Sequence, residues 1–225
     1  HDQRTSLASA RSSRVNPLPV VTDISTIRSL APEEAAKAYP VRVVAVLTAV
    51  HAARDCYFLQ MGNEGIYVDA TNQQLEGLRA GQRVLVTGLT APGGFAPVIV
   101  HPLLKVLGPT SMPQPQNPDP ELAPSGIYDS TWMEIEGLVR PVHVADGYLT
   151  FNLMTPLGTV RTHLLHPKGD AASLARFVDA RARVRGVFNT AFTNEGVLTG
   201  YRLFIDSEDD IEVLRAAPFD LAASE

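Results

Sequence analysis

His163 and His166, in the stretch HLLHP, stand three residues apart with Asp170 close behind. Two imidazoles and a carboxylate form a metal-ligand set, and on a helix that spacing would turn both rings to one side. Here they follow an extended apolar run and precede Pro167, with no H-E-x-x-H motif and no pair of cysteines, so surface histidines are expected. His51, His101 and His143 each stand near the end of an apolar run, with nothing in the spacing to bring them together. The acidic run from Asp206 to Asp210 lacks the dispersed ligands, central glycine and closing glutamate of a calcium loop, and a solvated turn is predicted. Glu134 and Glu136 share a strand face, but no neighbour would raise a carboxyl pKa for general acid work. Gly93-Gly94 is followed by Phe95-Ala96-Pro97 rather than Lys-Ser/Thr at a helix start, which makes it a corner and not a phosphate cradle. Cys56 is the single cysteine; it forms no intramolecular disulfide and alternates within an apolar strand as packing. No G-x-S-x-G elbow is present. No catalytic, cofactor-binding or metal residue is assigned, no cofactor is expected, and the segment reads as non-enzymatic.

Binding chemistry has more candidates. Tyr57, Phe58 and Tyr67 fall on one hairpin, and Tyr148 and Phe151 on another. Aromatics beside a basic groove would suit a single-stranded nucleic acid. Strand alternation, however, sends Tyr57 and Phe58 to opposite faces, so at least one belongs to a core. Arg181, Arg183 and Arg185 alternate in RARVRG and line one face, the single local argument for a polyanion. The formal net charge of -5 argues the other way, and nucleic acid is not expected as a partner. Trp132 stands next to a proline-rich stretch, where it would pack two domains together or meet a ligand. The candidate ligand or interdomain surface is therefore Trp132, Tyr57, Tyr67, Phe95, Arg181, Arg183 and Arg185.

The elements that must position these residues are short and turn-separated, as 16 glycines and 17 prolines in 225 residues require. Prolines and acidic residues cluster from Gly108 to Gly126, where neither helix nor central strand would persist. The expected division is a flexible lead-in at 1–19, a first barrel with an N-terminal helix at 20–108, a linker at 109–126, a second barrel at 127–214 and a tail at 215–225. Pro32, Glu33 and Glu34 suit the first turn of a short helix that Pro40 stops, although Ala31 is a poor cap. CYFLQMGNEGIYVDA and YLTFNLMTPLGTVRTHLL read as hairpins turning at 62–64 and 155–158. VLVTG and ARVRG correspond nearly a hundred residues apart, each preceded by a segment predicted as a short helix or turn. Five strands alone would leave an apolar face wet unless the sheet closes. An all-β fold with short helices, made of two tandem five-stranded OB-like β-barrels, is predicted.

ISTIRSLAPEEAAKAYPVRVVAVLT, FLQMGNEGIYVDA, LRAGQRVLVTGLTAPGGFAPVIV, YDSTWMEIEGLVR and DARARVRGVFNTAFTNEGVLTGYRLFI follow one another in order. Together they resemble the tandem OB-like extracytoplasmic sensor regions of bacterial signal-transduction proteins, especially histidine kinases, over roughly Val20 to Leu214. The resemblance implies a periplasmic ligand- or partner-binding sensory module, tethered through a membrane stalk to a parent chain with its own kinase domain. It implies no catalytic residue, and its partner would be an unknown small molecule or protein. Signal transfer would follow a change in the relative placement of the barrels or in their attachment to the stalk. The alternatives are a single-stranded nucleic-acid-binding OB-fold protein and a hydrolase with a polar cleft that no motif foretells.

Overall fold

A computed structural model describes residues 17–145, 147–193 and 196–217. The expected lead-in and tail lie outside the described residues except at 17–19 and 215–217. Two short helices come first, α1 (Ile24–Arg28) and α2 (Pro32–Ala35). The Asp23 carboxylate caps α1 by accepting from the Thr26 N–H at 3.1 Å. That helix was not anticipated; α2 starts on Pro32 with no side-chain cap, as Ala31 suggested.

The strands follow as β1 (Pro40–His51), β2 (Cys56–Met61), β3 (Glu64–Asp69), β4 (Gln82–Ala91) and β5 (Val98–Pro109). They close into a barrel in the order β1-β2-β3-β5-β4, with β3 and β5 meeting in parallel at Val68 and Ile99. After the proline-rich stretch come β6 (Trp132–Val139), β7 (His143–Ala145), β8 (Tyr148–Thr155), β9 (Gly158–Leu164), β10 (Arg181–Phe192), β11 (Leu198–Ile205) and β12 (Ile211–Arg215). Here β6, β8, β9, β11 and β10 form the ring, because β11 pairs with β9 in parallel and with β10 antiparallel. β7 extends β8, and β12 extends β10. The molecule is all-β with short helices, built of two five-stranded OB-like barrels in tandem.

Alternation fills each barrel. Val41, Val43, Ala45 and Leu47 of β1 point into the first core, and Met133, Ile135 and Val139 of β6 into the second. Between the third and fourth strands of each barrel, the short helix or turn expected there takes the form of turns. Residues 71–81 only turn, and the second barrel has a single 3-10 turn at Ala175–Phe177. Asn72, Gly77 and Gly81 sit at φ 65, 79 and 81, so a right-handed helix cannot propagate through this run.

A third apolar core joins the barrels. Ala49, Cys56 and Phe58 of the first pack against Trp132, Val187 and Phe204 of the second. The Trp132 N–H donates to Gln60 Oε1 at 2.7 Å, and Gln60 is only 1% exposed. Gly65 marks the closest approach. A Cβ there would lie 1.8 Å from the Ser130 carbonyl oxygen, so a side chain is incompatible with this docking.

Candidate functional site

The aromatic residues singled out from sequence have divided duties. Tyr57 is in the core of the first barrel, 1% exposed, and is corrected from a surface candidate. Phe58 and Trp132 are in the junction core, with Tyr67 packed at its edge. The Phe58 ring stacks on Phe204 at 5.7 Å and meets Tyr67 edge-on at 5.6 Å. Phe151 belongs to the second core. Neither hairpin therefore offers its aromatics as an open stacking platform. Phe95 does remain 45% exposed, stacked on Phe192 with centroids 4.0 Å apart.

Arg181, Arg183 and Arg185 do share one face, but it is neutralised. β10 lies between β6 and β12, placing Arg183 opposite both Glu136 and Glu212. Arg181 pairs with Glu136 at 3.1 Å, Arg183 with Glu136 at 2.8 Å and Glu134 at 3.2 Å, and Arg185 with Glu134 at 2.7 Å. Glu212 closes the network, 3.5 Å from Arg183 and 3.2 Å from Arg185. These arginines are committed to a cross-strand ladder, so the one local argument for a polyanion on this face loses its free charges.

A different basic site emerges on the same barrel. Asn152, Arg161, Arg202 and Asn189 are successive cross-strand partners on β8, β9, β11 and β10. Their neighbours in sequence, including Leu153, Val160 and Leu203, point into the core, so this row faces outward. Asn152, Arg161 and Arg202 line a hollow of about 390 Å³ together with Thr159, Thr199 and Tyr201. Among the described residues no acidic side chain lines it. Sequence reasoning missed this row because its two arginines stand on strands that only the parallel pairing brings together.

The histidines are also rearranged. His166 is exposed, 2.8 Å from Asp206, while His163 is buried and the surface expectation for it is corrected. His51 and His163 both flank Phe204 at the junction, at 5.2 and 5.7 Å. Tyr148 Oη lies 3.3 Å from His51 Nδ1, and Thr150 Oγ1 lies 3.1 Å from His163 Nδ1. Burial, reinforced by nearby arginines, pushes both imidazoles down to about 4. The acidic run is not simply solvated either. Ser207 and Asp210 form a capping box on a 3-10 turn, and the Glu208 carboxylate accepts from the Lys168 and Gly169 N–H groups at 2.9 and 3.1 Å. Among the described residues no three His, Cys, Asp or Glu side chains gather as a metal site.

Between the barrels lies a cleft of about 400 Å³, bordered by the Gly93–Val98 loop, Arg28, Tyr67, Asp69, Asp129 and Thr190. The glycine corner is thus also a wall. Asp129 is 7% exposed and accepts from the Thr190 N–H, the Asn189 amide and the Ser130 hydroxyl at 2.9 to 3.0 Å. Burial still raises its carboxyl above the usual range.

No protein-family model matches the sequence, and no curated protein is significantly similar to it. Solved structures with a similar arrangement include a murine DNA-binding protein bound to double-stranded DNA, at 12% identity and TM-score 0.36, covering 79% of this chain and 96% of that one. The p202 HIN1 domain in complex with a 12-mer double-stranded DNA is 13% identical at TM-score 0.37, covering 75% and 88% of the two chains. Fission yeast Pot1 with single-stranded DNA is 11% identical at TM-score 0.34, covering 87% and 88%. At these values the likeness is one of fold. The expectation that nucleic acid is unlikely as a partner is corrected: the three structures named are complexes with DNA.

Proposed function

We propose that the chain is a non-enzymatic OB-fold binding module, and that its second barrel takes a single-stranded nucleic acid across β8, β9 and β11. The observation that carries this reading is the outward row Asn152, Arg161 and Arg202, which the strand pairing brings together along one hollow. Guanidinium groups hold phosphate oxygens, while the asparagine amide and threonine hydroxyls offer hydrogen bonds to sugar or base edges. Backbone-led binding of this kind depends strongly on salt. Fluorescence anisotropy of a labelled oligothymidylate, titrated at rising salt, tests it. Affinity falls linearly on logarithmic axes, and Arg161→Ala reduces the slope by about 1. Absence of binding at low salt overturns the proposal.

A second reading rests on the sequence resemblance over Val20 to Leu214: a periplasmic sensory module of a bacterial membrane signalling protein. The junction core bears on how such a module would work. Sliding one barrel over the other would expose Phe58, Trp132 and Phe204, all at most 6% exposed. Signal would therefore pass through the attachment to a stalk rather than through a loose hinge. Thermal-shift screening with small solutes separates this reading from the first, because a sensor ligand need not be a polyanion.

A further inference from the structure

We infer that the cleft between the barrels is a binding site for a small amphipathic primary amine, meeting the outward row only at Asn189 and independent of the nucleic-acid reading. Three observations converge on it. Its volume, about 400 Å³, is that of a small-molecule site, and both barrels contribute walls. Thr190 lines it while only 5% exposed, and its Oγ1 is buried without a hydrogen-bond partner among the described residues.

The charges select the ligand's sign. The Arg28 guanidinium is already engaged, donating from Nη1 to the Gly65 carbonyl at 3.2 Å and from Nη2 to the Gly126 carbonyl at 3.4 Å, with Glu64 3.6 Å from Nε. It holds the barrels together and has little left for a carboxylate ligand. Asp69 faces the cleft with the hydrogen bonds it makes to Thr71 both on Oδ1. Those bonds keep its carboxyl below the usual range, so it is ionised at neutral pH. The half-buried Tyr67 side chain lines the cleft beside it. Phe95, Pro97 and Val98 supply an apolar wall for the remainder of the molecule. An ammonium at Asp69 beside Tyr67 and a short apolar body against Phe95 fit these surfaces. The glycine corner gives this wall its shape, since Gly93 is held at φ 65 and a Cβ there would meet the Ala96 carbonyl at 2.2 Å.

The test uses the intact chain and three probes of matched size: phenethylamine, phenethyl alcohol and hydrocinnamate. Calorimetric titration and thermal shift are expected to show binding and stabilisation by the amine, with no response to the alcohol or the acid. Asp69→Asn is expected to weaken amine binding about tenfold or more, in line with loss of a charge-assisted contact. Gly94 borders the cleft and a Cβ there would meet nothing within 4 Å, so Gly94→Trp adds bulk at the cleft wall while leaving the packed elements in place. It is expected to abolish amine binding with the oligothymidylate affinity unchanged. An equal response to all three probes, or amine binding that survives Gly94→Trp, overturns the inference. Loss of oligothymidylate binding alone in Arg161→Ala would leave this site standing and strike only the nucleic-acid row.

Discussion

The two barrels share a strand plan and spend the same surface differently. In the first, the β2 side of the outer hairpin face, carrying Cys56, Phe58 and Gln60, is covered by its neighbour, while Tyr67 and Asp69 on β3 border the cleft. In the second, the matching β8–β9 face is divided. Thr150 and His163 are buried at the junction, while Asn152, Met154, Thr159 and Arg161 remain partly or fully open. Their closures differ too: β3 and β5 meet at one residue pair, whereas β9 and β11 run parallel from Val160 and Tyr201 to Leu164 and Ile205. The longer seam is what sets Arg161 beside Arg202. Duplication supplied two potential binding faces; docking covered the β2 side of one and left half of the other.

The comparison is broken most severely by removing the ring at its centre. Phe204→Ala strips the junction of the side chain that touches His51, Phe58 and His163, and is expected to cost about 3–5 kcal/mol in urea denaturation. A loss below about 1 kcal/mol would show that the barrels are only weakly coupled.

Acid is expected to act on the same junction. His51 and His163 titrate near 4 when folded and near 6.5 when unfolded. Below pH 6.5 the unfolded chain takes up protons that the folded junction refuses, so their contribution falls as pH drops to about 4 and then levels off. The loss is on the order of 3 kcal/mol for each histidine. Asp210 works in the opposite direction, because burial raises its carboxyl to about 6 and the folded state gains stability as pH falls through that window. Comparing denaturation midpoints of the parent and His51→Phe at both ends of the window isolates the histidine contribution. An unchanged pH slope in the variant would refute it.

The open and closed arginine clusters are expected to separate by function. Arg161→Ala should weaken oligothymidylate binding about fivefold at low salt. Arg183→Ala should leave that binding unaltered and move the melting temperature only slightly, since its ion pairs with Glu134, Glu136 and Glu212 lie at the surface. The reverse pattern would assign the binding face to the ladder.

Much of the barrel plan was legible because it rests on local rules. The alternation of Met133, Ile135 and Val139 with Glu134 and Glu136, the hairpin turns and the paired VLVTG and ARVRG strands all report period-two burial. The ladder was partly legible: Arg181, Arg183 and Arg185 alternate as strictly as Glu134 and Glu136, and pairing those two strands would have matched the charges. The open row was hidden because Asn152, Arg161 and Arg202 are isolated in sequence, and parallel closure alone aligns them. The buried histidines were hidden for a related reason. A strand pattern shows that His163 faces outward from its own barrel, without showing what covers it.

The sequence by itself determined the barrels, since each strand's faces follow from the alternation of its own side chains and each turn from its own glycines and prolines. Tertiary structure decided which outward faces meet. Docking through Ala49, Phe58, Trp132 and Phe204 set Thr190 and Asp69 around one cleft and withdrew His51 and His163 from water. That choice depends on shape and charge across distant segments, where long-range apolar burial, and not local backbone preference, supplies the driving force.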